Sequence, residues 1–185
     1  IVVNDGSSDD TLNTLISYYE LEKYDILYDR FLATKPIRGI YINKNMPGFV
    51  VVDKENGGKA DSLNAGINIS RKDFFCGIDA VSLLEPEALL KAASLMLNTE
   101  RETIAVGGNI FPINGCSVER GALTSIRIPK NFLALGQTIE YIRAFMAGRV
   151  GWALINCLLI ISGAFGIFSK QRIMEVGGYL TQSGK

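Results

Sequence analysis

The sequence contains no histidine among its 185 residues. This absence excludes catalysis by a Ser-His-Asp or Cys-His arrangement, and it excludes a zinc site with imidazole ligands. The polar groups that remain for chemistry are carboxylates, lysine and backbone amides. They suit a reaction that uses a hard divalent cation held by oxygen ligands.

Net charge is absent as well, because 19 basic residues balance 19 acidic ones. Proteins that bind nucleic acid usually carry a broad basic surface, so we expect no nucleic-acid partner. An anionic ligand would have to be recognised by local features of the chain. The cysteines are few and far apart, at Cys76, Cys116 and Cys157. Reduced thiols in a reducing compartment are therefore favoured over a disulfide or a metal role.

The length and the apolar fraction of 48% suit one α/β domain with a sizeable core. The first residues, Ile1 to Val3, lack a methionine and a basic segment. They are typical of a strand already under way rather than of a signal peptide. No domain end is evident at Lys185, so we expect a fragment truncated at both ends.

The pattern of apolar residues predicts strands and helices in the order β-α-β-β-α-β-α-β. The predicted strands cover residues 1–4, 37–42, 49–52, 74–78 and 103–110. The predicted helices follow Thr11, cover 59–69, begin near Pro86 and cover 136–149. This order is typical of an open, mostly parallel sheet with helices on both faces. Ligands of such sheets bind beyond the carboxyl ends of the strands, and Asp5 and Asp79 both follow strands. We therefore predict that these two carboxylates converge at one edge of the sheet.

Residues 150–169 contain no charged side chain and match a membrane span in length. Asn156, Ser162 and three glycines interrupt the run, however. We favour a helix end, a buried strand over 157–161, a tight loop and a second strand over 165–168. A membrane-embedded structural segment is the alternative.

Two acidic motifs offer site chemistry, each beside a structural alternative. Asp5 ends a strand, where its carboxylate could accept hydrogen bonds from a base or a sugar, or could form an Asx turn. Asp79 also ends a strand. Its carboxylate could hold a divalent cation that bridges a diphosphate, or could cap a helix.

Two glycine-containing motifs complete the candidates. Lys59 lies at a predicted helix start, where an ammonium and free amides can bind a phosphate; a solvated lysine is the alternative. A P-loop is excluded, because the first glycine of that motif would fall at Asp53 and Ala60 replaces its Ser or Thr. The segment from Ser162 to Gly166 is small and flexible. It could let a substrate approach the backbone, or could form a turn.

Taken in order, the motifs resemble the family 2 glycosyltransferases of GT-A fold, in their polysaccharide-synthase branch. The resemblance rests on segments 2–11, 54–66, 137–141, 162–166 and 177–179, and on Asp79. It covers nearly the whole chain. It implies an α/β fold of GT-A type, with a mostly parallel sheet flanked by helices. It also implies transfer of a sugar from a UDP-type donor to a glycan acceptor with inversion.

The resemblance further implies roles for individual residues. Asp5 would contact the uracil, Lys59 would lie near the nucleotide, and Asp79 would contact the nucleotide-sugar and its Mg²⁺ or Mn²⁺. Ser162 and Gly163 would lie near the acceptor sugar. Residues 1–110 would form the nucleotide-sugar-binding part and residues 111–185 the acceptor-side part.

The chain departs from the family pattern in three ways. Val81 stands where the second acid of a DxD motif is expected, so we expect weak binding of a divalent cation. The family's catalytic base is expected beyond Lys185, and the strand that precedes Ile1 in the family is missing. We therefore expect the fragment to be soluble and inactive by itself, and its parent to act at the cytoplasmic face of a membrane. A nucleotide-sugar-binding module without turnover is the alternative.

Overall fold

The computed structural model of the chain describes residues 1–97, 102–155 and 157–181. The chain divides into two compact units. The first unit contains Ile1–Phe75 together with the segment from Ser169 onward, and the second contains Cys76–Phe168. The division of function at residue 110 stays a prediction.

The first unit is built around a four-stranded sheet in the order β1-β4-β3-β2. Its elements are β1 (Val2–Asp5), α1 (Thr11–Tyr18), β2 (Glu22–Tyr24), β3 (Ile37–Ile42), β4 (Val50–Lys54) and α2 (Gly58–Ile69). Strands β1 and β4 are parallel, whereas β3 runs antiparallel to both β4 and β2.

The sheet is therefore mixed, and the prediction of a mostly parallel sheet is wrong. Only residues 43–49 separate β3 from β4. A parallel crossover needs about a dozen residues or more, so this short connection forces a hairpin. The long segment between β1 and β4, by contrast, leaves room for the parallel pairing.

The core of the first unit combines β-branched strand residues with polar side chains of a helix. Val51 and Val52 are fully buried in β4, and Ile40 and Ile69 pack beside Val52. Helix α2 buries Asp61, Asn64 and Asn68, which lie on one helical face at spacings of three and four.

Two of these buried side chains bind both backbone polar groups of a residue in an irregular segment. The Asn68 carboxamide accepts from the Leu32 amide at 3.0 Å and donates to the Leu32 carbonyl at 2.9 Å. Asn64 does the same for Tyr179, at 2.8 and 2.9 Å. Buried backbone groups outside a ladder need such partners, so α2 stabilises the irregular segments around it.

The second unit contains a three-stranded sheet in the order β5-β9-β6 and a hairpin of β7 and β8. Its elements are β5 (Phe74–Ile78), α3 (Ala88–Leu97), β6 (Ala105–Gly107), β7 (Ser117–Glu119), β8 (Ala122–Ser125), α4 (Phe132–Ile142), a π-helix (Arg143–Arg149), α5 (Val150–Leu154) and β9 (Phe165–Ser169). Helix α6 (Lys170–Glu175) follows in the first unit. The core of the second unit is a cluster of Ala92, Met96, Phe165 and Ile167.

The sequence analysis predicted that the uncharged run 150–169 would not form one continuous helix, and this prediction is confirmed. Helix α5 ends at Leu154, and β9 begins at Phe165. The predicted strand over 157–161 is wrong, since these residues adopt no regular secondary structure. Within the described ranges, no helix is both long and apolar enough to cross a membrane. Asn156 lies outside those ranges.

The turn before α2 gives a test of the packing. A methyl group on Gly57 would lie 2.6 Å from Cγ of Asp61, which is buried and cannot move aside. We expect Gly57→Ala to lower the free energy of unfolding by about 1–3 kcal/mol. Gly66→Ala is the matched control within α2, since its new methyl would meet Val3 at an ordinary 3.9 Å. It should be neutral or stabilise by about 0.5–1 kcal/mol. Urea unfolding followed by circular dichroism measures both, and equal effects would contradict the packing at Gly57.

Candidate functional site

A fully buried lysine lies at the centre of the polar residues in the first unit. Lys54 ends β4, directly beside Asp5 at the end of the parallel strand β1. Its Nζ lies 2.6 Å from Oδ1 of Asp5 and 2.7 Å from Oδ1 of Asp61. It also donates to the carbonyl oxygen of Glu55 at 2.6 Å. An ammonium has three hydrogens, so every donor of Lys54 has an acceptor.

Asp5 caps helix α2 from the neighbouring strand. Its Oδ1 accepts from the Gly57 amide at 3.0 Å, and its Oδ2 accepts from the Gly58 amide at 2.7 Å. Helix α2 has no side-chain cap from its own N-cap residue, so Asp5 supplies one. Burial raises the pKa of the Asp5 carboxyl, but the Lys54 ammonium and the two amides outweigh it. The pKa of Asp5 therefore lies below its ordinary value.

Lys59 lies in the first turn of α2, one residue beyond the amides that Asp5 accepts from, and its side chain is exposed. The structure thus brings together Asp5 and the lysine that the sequence analysis selected. The connection between them is the turn at Gly57 and Gly58, where Gly58 adopts a φ of +84°. Together they place a carboxylate, a glycine turn and an exposed ammonium at the carboxyl ends of two parallel strands.

A second buried charge was missed by the sequence analysis. Oδ1 of Asp53 accepts from the Arg38 guanidinium at 2.6 Å and from the Asn4 side chain at 2.8 Å. The Asn4 Oδ1 is buried and has no hydrogen-bond partner among the described residues. Two adjacent charges, Asp53 and Lys54, directly follow the apolar run of β4. That placement, at the end of a buried strand, marks both as candidate site residues, although it does not reveal their partners.

In the second unit, the structure places Asp79 beside the predicted acceptor-side residues. The Asp79 amide donates to the carbonyl oxygen of Ala164 at 3.4 Å, and the Ser82 amide donates to the carbonyl oxygen of Asp79 at 2.9 Å. The Ser162 hydroxyl accepts from the Ala164 amide at 3.3 Å. Asp79 and the turn at Ser162 and Gly163 are neighbours because β5 and β9 are adjacent strands.

The protein groups around Asp79 do not by themselves fit a metal site. Val81 follows it in the same turn and is 94% exposed. Across the part of the chain that the structure describes, no cluster of three or more His, Cys, Asp or Glu side chains could hold a metal ion. Asp79 belongs to the second unit and Asp5 to the first, so their convergence stays a prediction.

The first unit also contains an open groove of about 1080 Å³. It lies between the end of α2, the segment 26–29 and α6. Neither Asp5 nor Lys59 lines it. The groove is therefore separate from the residues that carry the candidate chemistry.

Comparison with known proteins finds relatives whose names describe polysaccharide synthases. The chain is 27% identical to the poly-β-1,6-N-acetyl-D-glucosamine synthase of Staphylococcus aureus (strain COL) over 178 residues. The matched stretch covers 96% of this chain and 34% of that protein. The enzyme of the same name from Staphylococcus epidermidis is 27% identical over 172 residues, covering 91% of this chain and 37% of that protein. The chain thus spans about a third of the length of these relatives. No protein-family model matches it.

The pKa of Asp5 leads to a prediction about acid stability. A carboxyl group whose pKa is lower in the folded than in the unfolded state stabilises the fold above its unfolded pKa. This contribution is lost as the pH falls through the folded value. We expect the unfolding free energy of the chain to fall below about pH 4, and to fall less steeply in Asp5→Asn. Asp25→Asn, at an exposed position, is the control. Urea unfolding between pH 3 and pH 7 decides, and parallel curves for all three proteins would refute the role of Asp5.

Proposed function

We propose that this chain supplies the nucleotide-sugar-binding part of a glycosyltransferase. The enzyme would transfer a sugar from a UDP-type donor to a glycan acceptor, with inversion. One observation carries the proposal: a glycine turn, fixed by Asp5 at the ends of two parallel strands, presents the exposed Lys59 at the start of α2. Similarity to poly-β-1,6-N-acetyl-D-glucosamine synthases over 96% of the chain supports it.

In this proposal Lys59 binds the diphosphate of the donor. A diphosphate carries negative charge, and the exposed position of Lys59 lets its ammonium meet such a ligand from solvent. The start of α2 adds the positive end of a helix dipole. Asp5 has already taken the amides of Gly57 and Gly58, so the ammonium itself is the principal cation at this helix start.

Asp5 has a second role in the proposal. Its Oδ2 accepts one hydrogen bond, from Gly58, and a carboxylate oxygen can accept two. The side chain is partly exposed, so a donor on the base, such as the N3–H of uracil, can use the remaining position. Asp5 would then both hold the turn and contact the nucleotide.

Asp79 and the turn at Ser162 and Gly163 form the sugar side of the proposal. They adjoin through the Asp79–Ala164 backbone hydrogen bond, which suits residues that meet the donor sugar and the acceptor sugar respectively. Asp79 offers one carboxylate to Mg²⁺ or Mn²⁺. Most ligands of the cation would come from the diphosphate and from water, so binding to this chain without a nucleotide should be weak.

A second candidate function is nucleotide-sugar binding without turnover. The exposed Val81, in place of an acid, favours it. Both candidates bind a UDP-sugar, and only the first releases UDP in the presence of an acceptor. Release of UDP by the parent protein, with an acceptor glycan present, therefore separates them.

The first test concerns Lys59. Hydrogen bonds to charged groups contribute about 1.5–3 kcal/mol, so Lys59→Ala should weaken UDP binding by about 10-fold to 100-fold. Lys72→Ala is the matched control, because it removes an exposed lysine of the same unit outside the candidate site. Isothermal titration of UDP into the three proteins measures the effect. Equal affinity for UDP in Lys59→Ala and the unaltered chain would count against the proposed site.

The second test concerns Val81. A carboxylate about 4 Å from a cation contributes a few kcal/mol at an effective dielectric constant of about 20, before desolvation is subtracted. We expect Val81→Asp to bind Mn²⁺ at least about 10-fold more tightly when UDP is present. Val81→Asn is the control, since it adds a polar group of similar size without charge. Because Val81 is exposed, neither change should disturb the fold. Calorimetric titration measures the affinities, and no gain in Val81→Asp would show that position 81 does not face the cation.

A further inference from the structure

Lys54, Asp5 and Asp61 form a buried ion cluster, referred to below as the Lys54 cluster. The side chains of Lys54 and Asp61 are 0% and 3% exposed, and that of Asp5 is 23% exposed. Burying charged groups costs several kcal/mol for each ion, and well-packed apolar residues often serve stability equally well. Stability alone is therefore a weak reason for this cluster, and its connections point to another.

The Lys54 cluster joins the end of β4 and the start of α2 to two segments that are distant in sequence, the end of β1 and the segment at Lys35. Asp5 brings the end of β1 and accepts from the Gly57 and Gly58 amides. The Asn56 side chain donates to the Asp5 carbonyl at 2.8 Å, which adds a second link to the same turn. Asp61 brings α2, and its carboxylate accepts from the Lys35 amide at 2.9 and 3.2 Å. One ammonium thus contacts both carboxylates that lie on either side of the turn before α2.

The turn at Gly57 and Gly58 depends on these polar contacts because it cannot be held by its own side chains. A Cβ at Gly57 would collide with Asp61, and Gly58 has a positive φ. Glycine has more backbone freedom than any other residue, so contacts with other residues must fix the conformation of this turn. The Asp5 carboxylate supplies it, and Lys54 sets where that carboxylate lies.

We propose that Lys54 is a positioning residue for nucleotide binding: it holds Asp5 and Asp61 so that the Gly57–Gly58 turn presents Lys59 to the donor diphosphate. Lys54 itself does not touch the nucleotide, because it is fully buried and its three hydrogens are taken. This role rests on the proposed function. The fixing of the turn by Lys54 can be tested without any ligand.

Removal of the ammonium gives the role a pH signature. In Lys54→Met, two carboxylates that share one nitrogen at 2.6 and 2.7 Å would face each other without compensation. Such a pair takes up one proton, with a raised pKa, because like charges disfavour ionisation. The charged groups that contact Lys54 are Asp5 from β1 and Asp61 from α2. Strand β3 places Ile37 opposite Lys54, and Arg38 pairs with Asp53, whose side chain leaves β4 on the other face.

The ligand-free test is amide hydrogen exchange in the 185-residue chain. We expect Lys54→Met to speed exchange at Gly57 and Gly58 at least 10-fold, relative to the amide of Val52 in the core of β4. Lys72→Met, at an exposed position, should leave all of these rates unchanged. Should Lys54→Met fail to fold, Lys54→Met/Asp61→Asn removes the excess charge and serves for the same measurement. Unchanged relative rates at Gly57 and Gly58 would overturn the proposal.

The ligand test is the affinity for UDP-N-acetylglucosamine at pH 5.5 and pH 8. We expect Lys54→Met to bind at least 10-fold more weakly at pH 8, with a smaller defect at pH 5.5, where the carboxylate pair holds a proton. The double variant should show no such dependence on pH. If the unaltered chain does not bind, the proposed function fails, and hydrogen exchange still decides whether Lys54 fixes the turn. If it binds and Lys54→Met binds equally well at both pH values, the positioning role is wrong.

Discussion

The first unit depends on one ammonium group with no access to water. Buried without partners, Lys54 would be among the most unfavourable groups in the chain. With Asp5, Asp61 and the carbonyl of Glu55 around it, each of its donors is satisfied. This requirement fixes the end of β1 against the end of β4 and the first turn of α2 against both. The need of the Lys54 ammonium for three acceptors thereby determines where the start of α2 and the exposed Lys59 lie.

The rule that buried polar groups need hydrogen-bond partners also applies to the rest of α2. Asn64 and Asn68 bind the backbones of Tyr179 and Leu32 at both donor and acceptor, so two irregular segments are held without forming strands. A helix with an apolar face could bury area but could not select these backbone groups. The described core cluster of the second unit is apolar, built from residues such as Met96, Phe165 and Ile167. Among the described residues, the buried polar and charged side chains thus belong to the unit that carries Asp5 and Lys59.

The sequence predicted what local patterns determine and missed what distant contacts determine. Strand β3 spans Ile37–Ile42 as predicted, and α2 begins one residue before its predicted start, because β-branched runs and glycine turns act locally. Lys54 was not among the site residues selected from the sequence. Its burial depends on Asp5, 49 residues earlier, which no local pattern shows. The antiparallel pairing of β3 with β4 was predictable from the short connection between them. The irregular conformation of residues 157–161 was not predictable, because a short apolar run is equally typical of a buried strand.

The charges of the Lys54 cluster affect whether an anion can approach the start of α2. Asp5 places a carboxylate on the first amides of α2, where a diphosphate would otherwise bind. An uncompensated carboxylate there would repel the ligand that Lys59 is proposed to bind. Lys54 lies 2.6 Å from Asp5 and 2.7 Å from Asp61, so its positive charge partly offsets both carboxylates. At the exposed start of α2, the positive charge of Lys59 and the helix dipole both favour an anion. The buried lysine and the exposed lysine therefore have complementary parts: the first offsets the charge of the carboxylate that shapes the turn, and the second, at the exposed start of α2, is the proposed contact of the ligand.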